Sequence, residues 1–138
     1  MKMKVKVDEL GFLPTRSHAG DAGLDLYTPR PIVLTEGGMV KVHLGISLEL
    51  PPDTFGKIEG RSGLAMHGVD ALGGVIDEGY RGEIAVVLKN HSDHRIIFNR
   101  GERIAQLIVL PYCNATPERA DKLSGSERGG DGFGSTGH

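Results

Sequence analysis

Residues 40–59, VKVHLGISLELPPDTFGKIE, hold three short segments in which apolar side chains recur at alternate or near-alternate positions. The segments are Val40–His43, Ile46–Leu50 and Phe55–Glu59, and Pro51-Pro52-Asp53 stands between the last two. A period of two is typical of a strand with one buried face, and consecutive prolines mark a turn. These residues therefore predict short strands joined by tight turns.

The same pattern extends in both directions along the chain. Met3, Val5 and Val7 alternate with lysines, and Ser62–His67 is the one segment that looks helical. The other strand candidates are Ile32–Leu34, Glu83–Leu88, Arg95–Phe98 and Ile104–Leu110. Many short strands separated by turns favour a β-sandwich, jelly roll or barrel. The predicted class is all-β.

Length and composition indicate one domain with a modest core. The chain has 138 residues, of which 38% are hydrophobic, so burial against other copies is plausible. Its 21 glycines are about twice the ordinary usage of roughly 7%. They concentrate in residues 124–138, which cannot bury enough apolar surface to order themselves. We expect a folded domain over residues 1–123 and a glycine-rich tail whose backbone could wrap an anion.

Several classes of protein are disfavoured. A net charge of −2 without a basic stripe argues against binding to nucleic acid. The single cysteine, Cys113, allows no internal disulfide and no cysteine-based metal site. We find neither a signal-peptide pattern nor an apolar run of about 18 residues. We expect a soluble, cytoplasmic protein without membrane contact.

Two clusters near the first half of the chain could carry chemistry. Asp21 and Asp25 are spaced to share a strand face, although turn-capping aspartates are the interpretation that local evidence favours. Residues 60–65, GRSGLA, offer free N–H groups, a hydroxyl and the Arg61 guanidinium, which are the components of a phosphate site. A Ser62 N-cap beside an exposed arginine is an equally good interpretation.

Two further clusters are ambiguous by themselves. Residues 73–82, GGVIDEGYRG, resemble a strand–turn–strand hairpin in which Asp77 ends an apolar run. A carboxylate there could activate water, but a hairpin turn with Asp and Gly needs no function. Gln106 interrupts the apolar strand 104–110, and facing solvent is its default.

The final cluster is residues 128–137, RGGDGFGSTG. It has the glycine spacing of a P-loop, but Ser135 stands where the lysine belongs, so a P-loop is rejected. His91 and His94 lie in a polar turn segment, where a surface turn is a better interpretation than a zinc site.

Together and in this order, the five clusters resemble the five motifs of the trimeric dUTPase family. The strings RSGLA, GVID-x-x-YRG, G-x-RIAQL and GFGSTG are nearly intact, and the match spans residues 21–137. The resemblance implies a jelly-roll subunit, a homotrimer with shared active sites, and hydrolysis of dUTP to dUMP and pyrophosphate. This reaction limits uracil in DNA and supplies dUMP for thymidylate synthesis.

The resemblance also implies a role for each matching residue. Asp77 is similar to the general base that activates water for attack on the α-phosphorus. Asp25 is similar to the aspartate that holds Mg²⁺ through water. The implied phosphate contacts are Arg61, Ser62, Gly63 and Gln106, with Gln106 also near the catalytic water. The implied uracil and deoxyribose site is Gly74, Val75, Ile76, Asp77 and Tyr80. In the tail, Phe133 would stack on uracil, Arg128 would meet the γ-phosphate, and Gly134 and Ser135 would wrap the phosphates.

Two alternatives remain. The dCTP deaminase branch of the same fold places a catalytic glutamate ten positions after the aspartate, but this chain has Val87 there. A binding module that is not an enzyme would tolerate losses at Asp77, Gln106 or Arg128, and all three are present. The tail departs from the family pattern at Asp131, where glycine is usual.

Overall fold

A computed structural model describes residues 1–137, and within them the chain is built almost entirely from antiparallel strands. The strands are β1 (Lys4–Val7), β2 (Leu24–Tyr27), β3 (Ile32–Leu34), β4 (Met39–Glu49), β5 (Thr54–Glu59), β6 (Val69–Leu72), β7 (Val75–Ile76), β8 (Glu83–Asn90), β9 (Ile96–Phe98) and β10 (Arg103–Pro111). The one helix is α1 (Ser62–Ala65). The prediction of an all-β chain is confirmed, and the architecture fits a jelly roll.

The strands form two four-stranded sheets and a two-stranded ribbon. The first sheet has the order β1-β4-β8-β6, the second β2-β10-β5-β7, and the ribbon pairs β3 with β9. Side chains from both sheets form one hydrophobic core. In β8, Ile84, Val86 and Leu88 are buried while the intervening positions are not, so the period of two in the sequence selects the core face.

The strand boundaries differ from the predictions in two respects. Val40–His43 and Ile46–Leu50 belong to a single strand, β4, which is irregular because the register shifts between His43 and Ser47. Gly45, at this irregularity, has a φ of +69°, a left-handed conformation that glycine adopts without strain. The strand candidates also lack β2 and β6, since Leu24–Tyr27 and Val69–Leu72 are only four residues long.

The helix begins at Ser62, and this position excludes one of the two interpretations of that cluster. Arg61 is the N-cap residue, its backbone is extended, and no side chain caps the helix. The Ser62 N-cap interpretation is therefore wrong, because Ser62 is the first helical residue. One helical turn brings the chain from β5 to β6 through residues 66–68.

The chain leaves the packed sheets at the end of β10. From Tyr112 to Gly137 the backbone has turns and bends but no strand or helix, and nearly every residue is exposed. Over residues 1–137, no helix is long and apolar enough to cross a membrane.

Asn90 is a fully buried polar residue that connects several segments. Its amide nitrogen donates hydrogen bonds to the carbonyl oxygens of Leu34 (3.2 Å), Thr35 (3.0 Å) and His94 (2.8 Å). Its amide oxygen accepts hydrogen bonds from the backbone N–H (2.9 Å) and hydroxyl (2.6 Å) of Ser92. The side chain thus joins the end of β3, the end of β8 and the turn that precedes β9.

We expect Asn90→Ala to lower the free energy of unfolding by about 2–4 kcal/mol, because it leaves buried carbonyl groups without donors. Thermal or urea unfolding at fixed chain concentration measures the change. The control is Asn114→Ala, at an exposed position after β10. Equal stability of the two variants would contradict the role assigned to Asn90.

Candidate active site

Strand register brings the first and fourth clusters together. In the second sheet, Gln106 of β10 lies opposite Asp25 of β2 on one side and opposite Glu59 of β5 on the other. Arg61 follows two residues after Glu59, so the chain leaves β5 beside Gln106 and Asp25. We call Asp25, Arg61, Arg103 and Gln106 the phosphate cluster.

Asp25 lies between two guanidinium groups. Its carboxylate is 3.5 Å from Arg61 Nε and 3.5 Å from Arg103 Nη1, and it accepts a hydrogen bond of 3.0 Å from the Ser17 hydroxyl. Its side chain is only 15% exposed. Two cations against one carboxylate leave a surplus positive charge, which suits a phosphate. The turn-capping interpretation therefore fails for Asp25.

Asp21 has the role that the turn-capping interpretation assigns to it. Its carboxylate accepts the backbone N–H of His18 at 2.9 Å, and the Asp21 N–H donates to the His18 carbonyl at 3.1 Å. Asp21 precedes β2 and does not share a strand with Asp25. The two carboxylates of the first cluster thus serve different purposes.

Gln106 is half-buried, so the expectation that it faces solvent is wrong. Its side-chain nitrogen donates a hydrogen bond of 2.8 Å to the Gly60 carbonyl, just before Arg61. A Cβ at Gly23 would lie 2.1 Å from the Gln106 side-chain oxygen, and only glycine admits that approach. Ser62 and Gly63, next along the chain, are exposed.

The third cluster forms a separate site, the 74–80 turn. Gly74 has a φ of +101°, and its carbonyl accepts the Ile58 N–H at 2.7 Å. The turn closes where the Tyr80 N–H donates to the Asp77 carbonyl at 3.0 Å. Asp77 and Tyr80 are both exposed.

The predicted hairpin is only partly correct. Both strands and the turn exist, but β7 pairs with β5 in the second sheet, whereas β8 pairs with β4 and β6 in the first. The 74–80 turn therefore connects two sheets instead of two paired neighbours. Sequence periodicity cannot distinguish these cases, because it specifies faces and not partners.

A cavity of 370 Å³ opens beside the turn. Its lining includes Gly74, Val75, Ile76, Asp77 and Tyr80 from the predicted nucleoside site, and also Lys41, His43, Ile58, Glu83, Ile84 and Ala85. A larger cavity of 650 Å³ shares Lys41, His43 and Glu83 but contains no residue of the turn. We place the candidate site at the smaller cavity, because it contains the carboxylate and the tyrosine.

The sequence analysis did not identify Lys41, His43 or Arg103 as site residues. Lys41 and His43 alternate on the outer face of β4, a pattern that any solvated strand shows. Arg103 stands within the fourth cluster, but only the pairing of β10 with β2 reveals that it contacts Asp25. No signal in the sequence distinguishes these side chains from ordinary surface cations.

Asp77 lies far from the phosphate cluster within one chain, although Gly74, at the other end of the turn, is bonded to Ile58. Ile76 is opposite Gly56 in β5, so Asp77 lies near the start of β5, while Arg61 lies just beyond its end. Six residues of extended chain separate those points, about 20 Å at roughly 3.3 Å per residue. A single chain does not bring Asp77 and Arg61 to one phosphorus atom.

Within residues 1–137, the fifth cluster makes no hydrogen bond or salt bridge to either site. Phe133, with a φ of +51°, is fully exposed. Arg128 Nε donates to the Asp131 carbonyl at 2.8 Å, and the Ser135 N–H donates to the Gly132 carbonyl at 3.0 Å. Gly134 has a φ of +80°. These bonds form successive turns without fixing the segment to the sheets.

The described residues hold no group of three or more His, Cys, Asp or Glu side chains that could bind a metal ion. His91 and His94 lie near carboxylates of Asp70 and Asp93 in exposed pairs, as expected for a surface turn. A metal ion at the phosphate cluster would have to take most of its ligands from elsewhere.

Comparison with known proteins identifies the family of this chain. The family model named dUTPase matches residues 11–137. A deoxyuridine 5'-triphosphate nucleotidohydrolase of Clostridium acetobutylicum is 41% identical, over 99% of this chain and 96% of the relative, and one of Anaeromyxobacter is 44% identical, over 99% of each. The dUTPase G164S mutant of Staphylococcus bacteriophage 80alpha, solved with dUpNHpp, superposes with a TM-score of 0.93, at 25% identity and 99% coverage of each chain.

The family model covers both sites and the tail, and the relatives match over nearly their whole length. The chain belongs to the dUTPase family.

Proposed function

We propose that this chain hydrolyses dUTP to dUMP and pyrophosphate, with active sites shared between the subunits of a homotrimer. The family and its relatives support dUTP hydrolysis. The observation that carries the shared site is the separation of about 20 Å between Asp77 and Arg61 along β5. The 74–80 turn of one subunit therefore meets the phosphate cluster of another.

Asp77 is the proposed general base. Its exposed carboxylate accepts a proton from a water molecule as that water attacks the α-phosphorus. The bond from the α-phosphorus to the bridging oxygen breaks, and pyrophosphate leaves. The Gln106 side-chain nitrogen already donates one hydrogen bond to the Gly60 carbonyl. The rest of the amide group can form a hydrogen bond with a phosphate oxygen or with the water.

The phosphate cluster neutralises the triphosphate. Arg61 releases part of its contact with Asp25 to phosphate oxygens, and Arg103 remains to balance the carboxylate. Ser62 and Gly63 supply a hydroxyl and N–H groups at the exposed start of α1. Developing charge on the phosphate oxygens is stabilised by donors that face them, and Arg61 exchanges one anionic partner for another.

Mg²⁺ fits this arrangement through Asp25. Magnesium keeps several waters and commonly binds one carboxylate together with substrate phosphates, which agrees with the lack of a multidentate site over residues 1–137. Asp25 would hold the ion through water, and the ion would neutralise charge on the triphosphate.

Tyr80 and the tail complete the proposed site. The Tyr80 hydroxyl donates to the Glu83 carbonyl at 3.1 Å, which fixes the ring at the cavity so that it can lie against deoxyribose and exclude a 2′-hydroxyl. Main-chain groups of Gly74, Val75 and Ile76 would read uracil. Phe133 of another subunit would stack on the base, with Arg128, Gly134 and Ser135 around the phosphates. A fully exposed aromatic side chain has most to gain from such a contact.

We expect pyrophosphate release from dUTP with Mg²⁺, and little from UTP, dTTP or dCTP at equal concentration. The 2′-hydroxyl, the thymine methyl and the cytosine amino group each conflict with one element of the proposed nucleoside site. Pyrophosphate is measured by a coupled assay. Equal turnover of all four nucleotides would refute the specificity, and deamination of dCTP would favour the rival branch of the fold.

We expect Asp77→Asn to lower kcat by about 10²–10⁴-fold, the range typical of a lost general base, with a much smaller change in KM. Steady-state dUTP hydrolysis measures both constants. Asp70→Asn is the matched control, since Asp70 is an exposed aspartate of β6 outside both sites. Full activity of the Asp77 variant would exclude this residue as the base.

Mixing two inactive variants tests the shared site. Asp77→Asn chains and Arg61→Ala chains, refolded together at equal amounts, should regain about a quarter of wild-type activity, because that fraction of randomly assembled sites draws both intact groups from different chains. Each variant refolded alone is the control. Continued inactivity of a mixture whose co-assembly is verified would show that both groups act within one chain.

A further inference from the structure

Tyr112 makes a contact that no motif of the sequence analysis includes. It is the first residue after β10, and its hydroxyl donates a hydrogen bond of 3.1 Å to the Glu78 carboxylate. Its backbone N–H donates to the Asp53 carbonyl at 3.1 Å. Its ring meets the Phe55 ring edge-on, with centroids 6.4 Å apart and planes at 80°. The backbone bond to Asp53 and the ring contact with Phe55 thus fix the position of Tyr112 independently of its hydrogen bond to Glu78.

Glu78 lies in the 74–80 turn, directly after Asp77. The strand before the turn, β7, has only two residues, and both pair with β5. Arg81 donates to the Glu78 carbonyl at 2.9 Å, and the Tyr80 hydroxyl donates to Glu83, so these bonds stay within the turn and the start of β8. Over residues 1–137, the Tyr112 bond is the one side-chain hydrogen bond that reaches the turn from elsewhere in the chain.

The Tyr112 phenol keeps its proton in this position. The hydrogen bond to Glu78 and then the negative charge of Glu78 raise the pKa of Tyr112 above its usual value of 10.0, and Asp53 and Asp77 add to the effect. A raised pKa favours the neutral phenol, so Tyr112 remains a hydrogen-bond donor at neutral pH. Asp77 lines the same cavity as Glu78 and Tyr112, so it lies near this contact.

We propose that Tyr112 and Glu78 form a positioning pair that holds the turn carrying Asp77 in its productive orientation. This inference rests on the proposed role of Asp77 as the general base. Proton transfer requires the base within hydrogen-bond reach of the attacking water, and small displacements of reacting groups reduce rates strongly. An exposed hydrogen bond adds little to global stability, so its loss affects the rate more than the fold.

The test uses Tyr112→Phe, Glu78→Ala and the double variant in the full-length protein. Tyr112→Phe keeps the ring against Phe55 and removes only the hydroxyl, and Glu78→Ala removes the acceptor. We expect each single variant to lower kcat for dUTP by about three- to tenfold, as for loss of one hydrogen bond, with KM changed less than twofold. The double variant should be no slower than the slower single variant, because both changes remove one interaction.

Two further variants complete the design. Glu78→Gln retains an oxygen acceptor. With Tyr112 unchanged, we expect this variant to have most of the kcat that Glu78→Ala loses. Glu118→Ala, an exposed carboxylate after β10, should have wild-type kcat. Melting temperatures of all variants should lie within a few degrees of wild type.

The outcomes separate this inference from the proposed function. If wild type cleaves dUTP and Asp77→Asn is inactive, but Tyr112→Phe retains wild-type kcat, the positioning pair is refuted and the base stands. A rise in KM without a fall in kcat, or additive effects in the double variant, would also overturn it. If wild type does not cleave dUTP, the proposed function itself has failed.

Discussion

Strand β5 pairs along one edge with β10 and along the other with the two residues of β7, and these two registers fix the positions of Gln106 and Asp77. The pairing with β10 brings Gln106 and Asp25 to the end of β5, where Arg61 follows. The pairing with β7 places Asp77 near the start of the same strand. The antiparallel hydrogen bonds of a buried sheet do not slip by a residue without moving the core side chains to the other face. The separation of the two sites is therefore as rigid as the core.

The same separation keeps the Asp77 carboxylate away from the guanidinium groups of Arg61 and Arg103. Asp25 is already paired with Arg61 and Arg103, whereas Asp77 makes no salt bridge within residues 1–137. Both oxygens of Asp25 face guanidinium groups, whereas the Asp77 side chain is exposed to solvent. In the proposed assembly, the base of one subunit approaches the cations of another only around a triphosphate, whose negative charge occupies those cations.

The sequence predicted individual strands better than it predicted which strands pair and which distant side chains come into contact. Alternation located most of the strands, and the tail composition predicts a boundary at residue 124, whereas the last strand ends at Pro111. It could not show that β7 and β8 enter different sheets, since each strand presents the same pattern to any partner. Arg103 and Tyr112 were missed for a related reason, because their importance lies in contacts with Asp25 and Glu78, which are far away in sequence. Nothing in the sequence marks Asn90, because its importance comes from the three carbonyl groups that it contacts in the folded chain.

The 74–80 turn leaves one sheet and enters the other, so its two ends are fixed to opposite faces of the hydrophobic core. A change in the volume of that core alters the spacing of the sheets, since tightly packed interiors transmit displacement with little loss. The size of buried side chains thus affects the position of Asp77. During evolution, or in a laboratory selection for heat resistance, substitutions at Leu88 or Leu107, both fully buried, would be filtered by turnover as well as by stability, although neither residue lines the candidate cavity.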